Sequence, residues 1–104
     1  MRLIKSEIEI IIALAKKYFG STVRVFLFGS RVDDFKKGGD IDLFIKSENK
    51  NQMTLDLKIH FLAELKSLIG DQKIDVVFDN DATRAKLGFY HSIIEHNTEL
   101  GLNS

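Results

Sequence analysis

Apolar positions along this chain follow two different periods. From Ser6 to Phe19 the residues Ile8, Ile11, Ile12, Ala15, Tyr18 and Phe19 recur at the spacing of one helix face. Ser6 with Glu9 three residues on forms a capping-box pattern at the start, and Gly20 supplies a terminator. Lys16 and Lys17 then lie at the negative pole of that helix, as a solvated end. Val23–Phe28 is a β-branched and aromatic run suited to an interior strand. Ile41–Ile45 and Lys73–Phe78 repeat that character and predict a second and a third strand.

Between those last two strands the signal is mixed. Ser47–Gln52 is a polar linker. Met53, Leu55, Leu57, Ile59 and Phe61 alternate with polar residues, which is a strand pattern. The apolar set then continues through Leu62, Leu65, Leu68 and Ile69, too far for an ordinary strand. The reading is a helix from about Gln52 to Ile69, ended by Gly70. Ser30–Phe35 predicts a short helix, and a last helix begins near Ala82, with Leu87, Phe89, Tyr90, Ile93 and Ile94 apolar.

This order of elements predicts an α/β (α+β) fold in one domain over residues 1–104, since the length suits a single core. Fifteen basic and fifteen acidic residues cancel. That balance argues against strong sequence-independent nucleic-acid binding, which draws on phosphate neutralisation by Lys and Arg. There is no cysteine, so disulfides and thiolate metal sites are excluded. His91 and His96 are five apart, off a common helix face, and do not make a zinc pair. With neither a signal-peptide pattern nor a membrane-length apolar run, the expected location is cytoplasmic and no membrane partner is expected.

The chemistry concentrates in Phe26–Ile45, FLFGSRVDDFKKGGDIDLFI. The first strand runs into Gly29-Ser30, and the second opens on Asp40-Ile41-Asp42. Strand side chains alternate, so Asp40 and Asp42 share a face while Ile41 and Leu43 take the other. Two like charges at the mouth of a strand are costly without a cation. Mg²⁺ removes that cost, because it favours one or two carboxylates together with substrate phosphates. Glycine lets a ligand approach the backbone, Ser30 adds a hydroxyl, and Arg31 adds a fork of donors suited to phosphate. In the third strand Asp75 interrupts the apolar run. An ionised Asp there is expensive unless paired, metal-bound or turned to solvent on an edge strand.

A Gly-Ser pair followed by Asp-x-Asp and a later third carboxylate resembles the DNA polymerase beta-like nucleotidyltransferase superfamily, most closely its minimal members. The resemblance implies the nucleotidyltransferase fold, with a central mixed sheet flanked by helices. It implies that Asp40, Asp42 and Asp75 are catalytic and hold two Mg²⁺ ions, and that Gly29, Ser30 and Arg31 bind ATP or another nucleoside triphosphate. Val32-Asp33 stands where many small members carry a second small residue and a second arginine. The implied activity is transfer of a nucleoside monophosphate, AMP from ATP, to a hydroxyl on a partner protein. Minimal members resemble one half of a toxin–antitoxin pair whose partner is a helical HEPN (higher eukaryotes and prokaryotes nucleotide-binding) protein. Two other roles fit the same residues: a non-catalytic nucleotide-binding antitoxin or adaptor that masks a partner, and an antibiotic nucleotidyltransferase subunit. The C-terminal helix, through Leu87, Tyr90 and Ile94, is expected at an interface with such a partner or a second copy.

Overall fold

The structure, a computed structural model, describes residues 3–28, 41–70 and 72–101. Among these the order is α1 (Lys5–Phe19), β1 (Arg24–Phe28), β2 (Ile41–Lys46), a 3₁₀ turn at Lys50–Gln52, α2 (Leu55–Ile69), β3 (Ile74–Phe78), α3 (Asp81–Ala85), α4 (Leu87–Glu95) and β4 (Asn97–Glu99). The strands form one mixed sheet in the order β3-β2-β1-β4. β2 runs parallel to β3 and antiparallel to β1, and β4 runs antiparallel to β1. This is an α+β architecture with helices on both sides of the sheet. None of the described helices is long and apolar enough to cross a membrane.

Alternation along the strands divides the core in two. Val25, Ile41, Leu43, Ile45, Ile74, Val76 and Phe78 face α1 and α2, against Ile11, Leu14, Ala15, Phe19, Phe61 and Leu65. On that side the Phe19 ring meets Phe61 at 5.2 Å and Phe78 at 5.3 Å, in tilted and edge-on geometries favoured by aromatic pairs. The opposite face carries Phe26, Phe28, Phe44 and Val77, covered by Ile93 and Tyr90 of α4. The two helices of the thicker side are clipped by Glu64, whose Oε1 accepts from Tyr18 Oη at 2.6 Å and from Lys17 Nζ at 2.9 Å.

Several boundaries differ from the sequence reading. α1 begins at Lys5, and Glu7 rather than Glu9 reaches back, accepting from the Ile4 N–H at 3.2 Å. Ser6 is therefore inside the first turn and caps nothing. α2 begins at Leu55 after Thr54, whose hydroxyl accepts from the Leu57 N–H, so its start lies three residues beyond Gln52. Its apolar stripe is also narrower than expected, with Phe61 and Leu65 buried but Leu55, Ile59 and Leu68 exposed. The last helix is two helices broken at Lys86, and a fourth strand follows them. β4 is three polar exposed residues, held by backbone pairing to β1 and by a two-pronged Arg24–Glu99 ion pair at 2.9 Å. The short helix expected over Ser30–Phe35 lies outside the described residues.

Gly20 and Gly70 end α1 and α2 with φ of 100° and 102°, in an extended left-handed region that is nearly glycine-only. A Cβ on Gly20 would run into the Asn49 side chain, whereas one on Gly70 would meet nothing within 4 Å. Gly70→Ala is expected to cost about 1–3 kcal/mol from backbone strain alone. Gly20→Ala should cost more, because Asn49 has to move. Chemical denaturation of the two variants checks this ordering.

Asp79 follows β3 and is 3% exposed. Its N–H donates to the Ile45 carbonyl at 2.8 Å, and its carboxylate accepts from Arg84 Nε at 2.7 Å and Nη2 at 2.8 Å. Lys46 Nζ lies 3.8 Å from the same carboxylate. The Arg84 hydrogen bonds hold the Asp79 carboxyl below the usual range, against the upward push of burial. A carboxyl depressed on folding stabilises fully above its unfolded pKa of about 3.9, and that contribution is lost as pH falls through the lower native value. Asp79→Asn should therefore cost about 1.5–3 kcal/mol at pH 7. Urea titrations of wild type and variant should converge once the pH drops well below about 3.9.

Candidate active site

The buried alternation of β2 decides where its carboxylate goes. Ile41, Leu43 and Ile45 are sunk in the α1–α2 side of the core, so Asp42 between them turns to the face shared with Phe44 and α4. β3 behaves the same way: Ile74 and Val76 are buried, and Asp75 between them is exposed on the α4 side. The parallel register then sets Asp42 directly opposite Asp75. Neighbouring strands lie about 4.8 Å apart, so the two carboxylates project side by side from adjacent strands.

A groove of about 590 Å³ opens at this pair, lined on the same face by Phe28, Val77, Phe89 and Ser92, and beyond β3 by Lys58 and Leu62. Phe89 comes from α4 and stands edge-on to Phe28 at 6.1 Å. Antiparallel pairing of Leu27 with Leu43 puts the end of β1 beside the start of β2. Phe28 and Ile41, the described residues that flank Gly29–Asp40 in sequence, are thus both at the end of the sheet that carries Asp42. Gly29, Ser30, Arg31 and Asp40 themselves lie outside the described residues. Of the six residues singled out in the sequence, the described structure places Asp42 and Asp75, and it brings these two together.

Among the described residues no three acidic, histidine or cysteine side chains cluster closely enough to form a metal site on their own. Two carboxylates on one face nevertheless form a hard-oxygen donor set suited to Mg²⁺, which completes its shell with water and substrate phosphates. Asp75 takes the exposed edge-strand position, so the desolvation cost weighed for it in the sequence does not arise.

One residue that lines the groove, Lys58, and one buried acid outside it, Asp79, escaped the sequence reading. Lys58 sits on α2 with its Nζ 5.5 Å from the centre of the Phe78 ring, and it lines the groove. In sequence it is one lysine on the polar side of an amphipathic helix, with no signal to separate it from the others. Asp79 was readable in principle, as an acid closing an apolar strand with an arginine five residues on.

The sequence profile of the family described as "Polymerase beta, Nucleotidyltransferase" matches residues 9–103. The chain belongs to the polymerase beta nucleotidyltransferase family, and the α+β fold is the one expected of that class. Nucleotidyl transfer is accordingly the general chemistry of the domain. Comparison with curated proteins gave no match.

Proposed function

We propose that the chain is a Mg²⁺-dependent nucleotidyltransferase that moves AMP from ATP to a hydroxyl on a partner protein. The observation that carries this reading is the register pairing of Asp42 with Asp75 on one sheet face, over a groove, in a chain of this family. In the reaction the acceptor oxygen attacks the α-phosphorus, the bond from that phosphorus to the bridging oxygen of the β-phosphate breaks, and pyrophosphate leaves. Asp75, the more exposed carboxylate, is the group placed to receive the hydroxyl proton. Asp42 and Asp75, with Asp40, would hold Mg²⁺, which when bound supplies charge stabilisation to the attacking and leaving oxygens. Gly29, Ser30 and Arg31 are proposed to grip the β- and γ-phosphates.

The partner is proposed to be a helical protein of the HEPN type, docking on α4. That helix leaves Leu87 66%, Ile94 47% and Phe89 42% exposed, and Phe89 also borders the groove. Ile93 is buried, and Tyr90 packs on Phe44 with rings 6.4 Å apart and under Arg84. Tyr90 therefore belongs to the fold, and the outward stripe is narrower than the five apolar residues of the sequence suggest.

Incubation with labelled ATP, Mg²⁺ and a helical protein encoded beside this chain should label that protein. Asp75→Asn should cut the labelling at least ~100-fold, or about 2.7 kcal/mol of transition-state stabilisation. Because Asp75 is exposed, its melting temperature should stay within about 2 °C of wild type. Retained labelling in that variant would remove Asp75 from the mechanism.

Docking on α4 is tested separately by light scattering. A complex that forms with wild type is expected to be lost with Leu87→Glu, which removes an exposed leucine and leaves the core untouched. An unchanged complex in that variant would place the interface elsewhere.

A further inference from the structure

The groove beside the carboxylates touches both faces of the sheet. Asp75 and Val77 line it on the α4 side, while Ile74 and Val76, with Lys58 and Leu62, line it on the α2 side. One depression reaches both faces only by running along a strand with an open side. β3 is that strand: it ends the sheet, and among the described residues only β2 pairs with it.

Two hydrogen bonds sort the main chain of β3. The Ile41 N–H donates to the Lys73 carbonyl at 2.9 Å, and the Asp79 N–H to the Ile45 carbonyl at 2.8 Å. In a parallel ladder this turns the N–H and C=O groups of Lys73, Asp75, Val77 and Asp79 toward β2. By alternation those of Ile74, Val76 and Phe78 point away from the sheet, although their side chains are buried in the core. A row of such groups is a template for one more strand.

We propose that this edge holds the acceptor as an extended peptide segment added beside β3, with its hydroxyl-bearing residue opposite Asp75. The proposal rests on the nucleotidyl-transfer reading above and specifies how its acceptor is presented. Residues opposed on neighbouring strands share a face, with Cβ atoms about 4.5–5.5 Å apart. A serine, threonine or tyrosine opposite Asp75 thus delivers its hydroxyl to the Asp42–Asp75 pair. Its two neighbours turn to the α2 side, where Leu62 favours an apolar side chain. The residue opposite Phe78, three positions from the acceptor, turns to the same side and meets Lys58, whose charge favours a carboxylate.

The probes are two acetylated and amidated hexapeptides, Glu-Thr-Val-Tyr-Val-Thr for an antiparallel run and its reverse for a parallel one. Each is paired with a control N-methylated where its N–H groups face β3, on both valines in the antiparallel peptide and on the tyrosine and the threonine after the second valine in the parallel one, which removes edge hydrogen bonds and keeps the side chains. On the full chain, one of the plain peptides should slow amide exchange at Val76 and Phe78 about threefold at twice its dissociation constant. The controls should give no protection. With ATP and Mg²⁺ the protected peptide should be labelled on tyrosine, and Lys58→Glu should shift the preference to a peptide with Lys in place of Glu. Absence of protection by both plain peptides, or equal labelling of the N-methylated controls, overturns the proposal. So does protection of the same amides by self-association of the chain, seen by light scattering without peptide. Protection without labelling keeps the peptide site and overturns the transfer reading instead.

Discussion

The register of β2 is the constraint on which the site depends. Ile41, Leu43 and Ile45 are 0% exposed, with β1 on one side and β3 on the other. A slip of one residue against either neighbour would turn all three out of the core. At about 1.5–3 kcal/mol for each buried aliphatic side chain, that slip costs on the order of 5 kcal/mol or more. Opposed like charges on adjacent strands cost at most about 1 kcal/mol. Core packing therefore wins, and it sets Asp42 against Asp75 whatever the two carboxylates would prefer.

The two sides of the sheet divide the labour. α1 and α2 cover one face with a continuous aliphatic and aromatic core, clipped by Glu64 and closed at the end of α1, where Ser47 Oγ donates to the Phe19 carbonyl at 2.7 Å. The other face is covered by one short helix over a small aromatic cluster, which leaves Asp42 and Asp75 at the border of an open groove. Carboxylates on strands anchored from behind hold their positions better than the same groups on loops.

What was legible in the sequence follows from burial. β1, β2, β3, α1 and α2 each bury an apolar stripe, and the period of that stripe named the element. Strand alternation also put Asp42 on the face opposite Ile41 and Leu43, without any structure. β4 has no apolar residue, because backbone pairing and the Arg24–Glu99 ion pair hold it, so hydrophobic pattern is blind to it. The break between α3 and α4 was hidden for a related reason. Asn80 caps α3 by accepting from the Thr83 N–H at 2.9 Å while Arg84 is drawn back to Asp79, and neither effect leaves an apolar signature. At the start of α1 the motif itself misled: Ser6-x-x-Glu9 and Ile4-x-x-Glu7 compete, and the second wins although Ile4 has no side-chain oxygen to offer. The pairing of Asp75 with Asp42 needed the register, which no residue count supplies.

The Arg24–Glu99 clamp has a consequence for synthesis. Its two residues are 75 positions apart in the chain. At translation rates of about 5–20 residues per second, β1 emerges from the ribosome about 4–15 s before the segment that covers its outer side. Through that interval a strand of arginine, valine, leucine and phenylalanine presents unpaired main chain along its outer side. Two nascent chains that met in this state would each present the same open side of β1, a template for pairing with another strand. The slowest-arriving three residues of the sheet are thus also its guard against pairing between copies.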